Sequence, residues 1–225
     1  MKRKNLYQDK RSCKDVFNAM MLENANYEGN IELPIIKGTE EIPVGLIPFS
    51  KIKKSDEYEK WIHFYEYDQI IERLWNYPYK YLPYLKKFKG VILPDFSLFT
   101  DMPLLMQMNN ILRSRMIGNW LQNNGINVIV NIRYGDHRTY KICCMGAPKN
   151  STIAIGTHGS MKTRESREIL ENGLLFVFNN LHPKTLIVYG TVSEFIVSLC
   201  NKYNTKLVIF QSDFGKSHSL KKEVI

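Results

Sequence analysis

Short apolar runs punctuate the chain, and five of them give way abruptly to polar residues or glycine. Val91-Ile92-Leu93 runs into Pro94-Asp95-Phe96-Ser97, and Val128-Ile129-Val130 into Asn131-Ile132-Arg133-Tyr134-Gly135-Asp136. Ile153-Ala154-Ile155 meets Gly156-Thr157-His158-Gly159-Ser160, Leu186-Ile187-Val188 meets Tyr189-Gly190, and Leu207-Val208-Ile209-Phe210 meets Gln211-Ser212-Asp213. Runs this short and this uniformly apolar are the signature of strands buried on both faces of a parallel sheet. If the strands are parallel, every polar break lies at a carboxyl end and all five face one side, where α/β folds build their sites.

Earlier in the chain, residues 31–36 and 44–49 are apolar and proline-marked, which predicts edge strands or strand starts. Trp61-Ile62-His63-Phe64-Tyr65 is aromatic-rich and strand-like, and runs into Glu66, Tyr67 and Asp68. Helical spacing predicts helices over 15–28, 69–76, 79–88, 163–181 and 192–203. The clearest helix follows Asp101. Thr100 or Asp101 can cap it, Pro103 suits its first turn, and Leu104, Leu105, Met108, Leu112, Met116 and Trp120 recur along one stripe toward Gly125. The eight candidate strands, alternating with helices through the second half, predict an α/β fold. A small or incomplete TIM-like (β/α) barrel suits the count, and an open doubly wound parallel sheet is the alternative. No linker or repeat interrupts residues 15–225, which are expected to form a single α/β domain.

Charge changes the picture at the amino terminus. The net charge is +9, and residues 1–14 hold six basic residues against Asp9. This basic arm is expected to be flexible, and it could hold nucleic acid. Two further basic clusters, 51–54 and 86–89, read as loop or helix-end positions. No apolar run is long enough to span a bilayer, and no apolar stretch follows the basic start as a secretory signal requires, so no membrane partner is expected and a cytoplasmic location is. Cys13, Cys143, Cys144 and Cys200 lack Cys-x-x-Cys spacing, so they read as free buried thiols rather than as a zinc site or disulfides. No motif identifies a cofactor, and oligomeric state is not legible.

The candidate chemistry sits at the breaks. Asp95 could act as a general base, a metal ligand or an orienting group, or could simply start an Asx turn. Asn131 and Arg133 share a strand face, and an inward-facing Arg133 needs an anion: a substrate phosphate or carboxylate, or an internal aspartate such as Asp95 or Asp136. Asp136 with His137 beside it could do acid–base work. In Gly156-Thr157-His158-Gly159-Ser160 the glycines permit close backbone approach, and the following helix N-terminus favours anions. The Gly-x-x-x-x-Gly-Lys-Ser/Thr spacing of a nucleoside-triphosphate loop is absent, and an ordinary tight turn would read the same way. Arg113 and Arg115 could reach the mouth of the site or lie on a solvated face. Tyr189 could stack on a ligand or pack internally. The expected catalytic set is Asp95, Asp136 and His158. The expected ligand-binding set is Asn131, Arg133, Gly156, Thr157, Gly159, Ser160, Tyr189, Arg113 and Arg115. The ligand class this favours is an anionic small molecule or nucleotide, with phosphoester or glycosidic hydrolysis as the broad reaction. The alternatives are a nucleic-acid-binding protein and a non-enzymatic partner-binding or inhibitor protein.

The same residues carry a resemblance. Pro94-Asp95-Phe96-Ser97, Asp101-Met102-Pro103, Arg113-Ser114-Arg115, Asn131 through Asp136, Gly156-Thr157 and Val188-Tyr189-Gly190 resemble, in order, the motifs of a family catalogued as domain of unknown function 4417. It is met in bacteria, archaea, phages and mobile elements. The resemblance covers about Trp61 to Phe195. Tyr134 stands where the family pattern suggests tryptophan, and Asn119-Trp120 replaces a more aromatic pair. The resemblance implies a phage or mobile-element setting and assigns no catalytic residue.

Overall fold

The computed structural model describes residues 15–212, so the basic arm of residues 1–14 and the run-out at Asp213 lie outside the described residues. A 3-10 turn (Ala19–Leu22) leads to a two-residue antiparallel ribbon, β1 (Tyr27–Glu28) with β2 (Leu33–Pro34). The main sheet follows. Its strands are β3 (Leu46–Pro48), β4 (Trp61–His63), β5 (Gly90–Ile92), β6 (Val128–Asn131), β7 (Thr152–Gly156), β8 (Thr185–Tyr189) and β9 (Lys206–Phe210). Six helices connect them: α1 (Asp68–Asn76), α2 (Pro78–Leu85), α3 (Leu104–Asn123), α4 (Tyr140–Cys144), α5 (Arg164–Leu181) and α6 (Glu194–Lys202).

All seven strands are parallel and lie in chain order from β3 to β9. Parallel crossovers are right-handed, so an order that never reverses puts every helix on the same side of the sheet. The packing agrees. Ile62, Val91, Val130, Ile153 and Leu186 bury against helix residues such as Leu74, Leu121, Leu174 and Ile196. The alternate strand residues Trp61, Ile92, Ile129, Ala154 and Ile187 form a second buried cluster that contains no helix residue. This second face is concave. Tyr65, just past β4, and Tyr189, at the end of β8, stack with ring centroids 4.6 Å apart. Four strand spacings in a flat sheet would separate β4 from β8 by roughly 19 Å. The sheet therefore curls into a half-barrel whose interior is filled by its own side chains. Among the described residues β3 and β9 do not pair, so the sheet is open.

Against the sequence expectation, seven of the eight candidate strands join the sheet. Residues 31–36 do not. Only Leu33 and Pro34 are extended, in the separate ribbon. The sheet is the open parallel one of the alternative rather than a closed TIM-like barrel, and among the described residues its helices cover one face, not both as a doubly wound arrangement would. The helix expected over 15–28 is broken because Asn18 and Asn24 adopt left-handed backbone. Helix α3 ends before Gly125 as expected, with φ +77 at that glycine, but Pro103 occupies the cap position and no side chain caps it. Its apolar stripe faces the core at Met116 and Trp120 and is half-buried at Leu104, Met108 and Leu112; only Leu105 is turned out, at 77% exposure, and the helix also buries Gln107, Ser114, Arg115 and Asn119. Asn119 donates to the carbonyls of Met21 and Glu23, tying the amino-terminal segment down.

Candidate functional site

The carboxyl ends of β4 to β8 converge because the sheet curls. At the centre is a chain of polar side chains, each delivered by a different strand end. The Tyr65 hydroxyl donates to Asn131 Oδ1 at 3.0 Å, and Asn131 Nδ2 donates to Asp95 Oδ1 at 2.8 Å. Arg133 reaches the other carboxylate oxygen, with its guanidinium 3.9 Å from Asp95 Oδ2. Asn131 and Arg133 alternate out of β6 onto the concave side, as period-two geometry requires. Gly156 lies directly opposite. A Cβ there would sit 2.8 Å from the Tyr65 ring and 3.3 Å from Asp95 Oδ2, so only glycine leaves room for the pair.

Arg133 is under-satisfied. Its side chain is 25% exposed, its ion pair with Asp95 is long, and its Nε is buried without a hydrogen-bond partner. Burial pushes the Asp95 carboxyl above its ordinary value, partly offset by Arg133 and by the hydrogen bond from Asn131. Burial likewise holds the Tyr65 phenol well above its usual range, and Asp95 and Tyr189 push it in the same direction. Tyr65 is thus a fixed hydrogen-bond donor, and Asp95 is a carboxylate with enhanced basicity.

Beside this cluster opens a cleft of about 520 Å³. Its walls are the loop after β5 (Leu98 to Asp101), the end of β6 (Ile132 to Gly135), the turn after β7 and the first turns of α5. Arg133, Gly156, His158, Gly159 and Ser160 all line it, so five of the expected site residues share one cavity. Gly159 takes φ +83 with open space where a side chain would stand. Helix α5 presents Ser166 to the cleft and is closed by a capping box between Thr163 and Ser166.

The remaining expected residues are placed elsewhere. Thr157 is buried and donates to the Thr191 carbonyl, which ties the β7 and β8 ends together. Tyr189 stacks on Tyr65 and against His63, so it packs behind the polar chain. Asp136 lines a neighbouring cleft of about 560 Å³ with His137, Glu165 and Glu168. Hydrogen bonds from Arg138 hold its carboxyl below the usual range, which suits an ion-pair anchor better than an acid. Arg113 pairs with Glu72 while its guanidinium lies 4.6 Å from the Trp75 ring centroid and 4.2 Å from that of Phe96. Arg115 is buried and donates to the Cys143 and Met145 carbonyls. Arg113 keeps a buried Nε without a partner, and Arg115 borders a small void that Asn131 and Arg133 also line, but neither residue lines the larger cleft.

Two central residues escaped the sequence reading, His63 and Tyr65. A signal existed: Trp61, His63 and Tyr65 alternate along a strand whose run also breaks into polar residues, a sixth break like the other five. Cys143, Cys144 and Cys200 are free and buried, and Cys13 lies outside the described residues. Among the described residues no cluster of three or more His, Cys, Asp or Glu side chains has a metal-binding arrangement, and no helix is long and apolar enough to cross a membrane.

Comparison with known proteins supplies the family. No solved structure matches the chain. It is similar to the "Gene 1 protein" of Mycobacterium phage L5, with 30% identity over 179 residues, covering 78% of this chain and 77% of the relative. It is also similar to the "Gene 1 protein" of Mycobacterium phage D29, with 28% identity over 163 residues, covering 71% of this chain and 60% of that protein. The model of the domain of unknown function DUF4417 matches residues 25–209, a wider span than the motifs alone suggested and one that takes in every strand of the curled sheet apart from the last residue of β9. The chain belongs to the DUF4417 family.

Proposed function

We propose that the cleft at the strand ends binds a phosphorylated, nucleotide-like anion in a phage or mobile-element setting. Arg133 carries the reading. A guanidinium that lines a cavity, keeps 25% of its side chain exposed and makes only a 3.9 Å contact to its aspartate has donor capacity left for a ligand. The turn from Gly156 to Ser160 and the start of α5 would add backbone donors and a favourable dipole. Hydrolysis of a phosphoester or glycosidic bond is the reaction this arrangement suits. Asp95, with its carboxyl raised by burial, would take the proton of an attacking water on Oδ2, and His158 in the cleft is the second proton carrier. Gly156 lines the cleft and also borders Asp95, 3.3 Å from Oδ2 at the position its Cβ would take, so it is the residue between the two. The similarity to phage Gene 1 proteins supports the setting.

The test uses the full chain. Native mass spectrometry of freshly purified protein identifies any retained nucleotide, and calorimetric titration with inorganic phosphate and a panel of nucleoside monophosphates measures affinity. Arg133→Ala should weaken the best of these ligands by about tenfold or more, the range for one charge-assisted contact, while the melting temperature stays close to wild type. Wild-type affinity in the variant, or no binding of phosphate or any nucleotide by the wild type, would overturn the assignment.

A further inference from the structure

The outer flank of the sheet, near the amino ends of β4 and β5, carries a surface that the cleft does not use. Tyr77, Lys80, Tyr84 and Lys87 recur at i, i+3, i+7 and i+10 along α2 and its flanks, which places them on one face over about 15 Å. The contacts agree with the spacing. Lys80 Nζ lies 5.8 Å from the Tyr77 ring centroid, and Lys87 Nζ lies 6.0 Å from that of Tyr84. Lys53, from the other basic run, lies 5.5 Å from the Tyr84 ring centroid and 4.7 Å from that of Tyr81. The two lysine clusters at 51–54 and 86–89 are separated in sequence by more than thirty residues, yet the fold brings one lysine of each, Lys53 and Lys87, to the same tyrosine ring.

We propose that this α2 face is a platform for single-stranded nucleic acid. Alternating cations and aromatic rings along one line fit a strand whose phosphates and unpaired bases alternate, with lysines neutralising the first and rings stacking on the second. Tyr77 is 62% exposed, so its ring is available to a base. Every lysine of the two clusters and Lys80 is exposed, and among the described residues none is ion-paired to a carboxylate. Duplex DNA fits less well, because α2 is only eight residues long and contains Pro83. An anionic lipid surface also fits less well. An interfacial helix sets large aliphatic side chains beside its lysines, whereas Leu85 is buried and Leu82 half-buried here.

The experiment is fluorescence anisotropy of the full chain with a fluorescein-labelled oligothymidylate across a salt series. The wild type should bind with an affinity that falls steeply with salt. Lys80→Gln/Lys87→Gln should flatten the log–log salt slope by about 1.4, at about 0.7 per lost single-strand phosphate contact. Tyr77→Leu should weaken binding about fivefold or more at fixed salt with little change in slope. Lys202→Gln, an exposed lysine on α6 outside both this face and the cleft, should leave oligonucleotide binding unchanged, which ties the effect to this surface rather than to any lost charge. The proposal is overturned if the wild type does not bind, if the lysine variant keeps the wild-type slope, or if Tyr77→Leu binds as wild type does. It is also overturned if the same-sequence duplex or phosphatidylserine vesicles bind as tightly as the oligonucleotide.

Discussion

Asn131 is the joint of the polar chain, and its removal has a calculable cost. In Asn131→Ala the Tyr65 hydroxyl loses its acceptor and Asp95 Oδ1 loses its donor, both in buried surroundings. Each orphaned group costs about 1–3 kcal/mol, and the void left on the concave wall adds a little more. About 3 kcal/mol of lost stability is expected, which for a chain of this size lowers the melting temperature by roughly 6–12 °C. Urea unfolding followed by tryptophan fluorescence measures it directly, since Trp61 belongs to the concave cluster. The double variant sharpens the test. Tyr65→Phe removes the very hydroxyl that Asn131→Ala orphans, so the two losses should fall short of additive by about 1 kcal/mol. If Asn131→Ala stays within about 0.5 kcal/mol of wild type, or if the double variant is strictly additive, the chain from Tyr65 to Asp95 is not the buried network described above.

Two further outcomes follow from the same geometry. The raised Asp95 carboxyl means that the folded state holds this proton more tightly than the unfolded state does. Its contribution to stability is therefore fully present below the ordinary carboxylate value of 3.8 and is lost as pH rises through the raised folded value. Asp95→Asn should then be more stable than wild type near neutral pH, with the gap closing toward pH 3.8; urea midpoints across that range that show a constant gap would count against it. Gly156→Ala should cost about 1–3 kcal/mol in a thermal melt, because the new Cβ meets a Tyr65 ring that is pinned by Tyr189 and cannot swing aside; a wild-type melting temperature would show that the stack yields.

The strand ends were legible because a strand buried on both faces must be apolar throughout, so the change to Pro94-Asp95 or Asn131-Ile132-Arg133 marks an edge of the core without any tertiary information. Helix α3 was legible as a helix and in most of its apolar face, but not in the polar residues that it also buries. Arg115 and Asn119 turn inward because the carbonyls at the end of α4 and in the segment from Met21 to Glu23 supply partners for polar groups that hydropathy would place in solvent. The polar stretch after Arg133 hid α4, whose five residues are too few for periodicity to declare. Arg113, Arg115 and Arg133 illustrate the limit best. All three look alike in sequence, yet one is clamped by two rings and Glu72, one is consumed by carbonyls, and one lines an open cleft with only a 3.9 Å contact to its aspartate.

The sequence by itself determined the alternation of strands and helices, the side on which the polar breaks fall, and the residues available there, because backbone propensity and burial act locally and leave periods of two and of 3.6. The tertiary structure decided which of those residues meet. The curl of the sheet sets Tyr189 on Tyr65 and completes the chain from Tyr65 through Asn131 to Asp95. Strand alternation fixes the face a side chain points to, whereas curvature fixes how far across that face it finds a partner, and curvature arises only when all seven strands pack together.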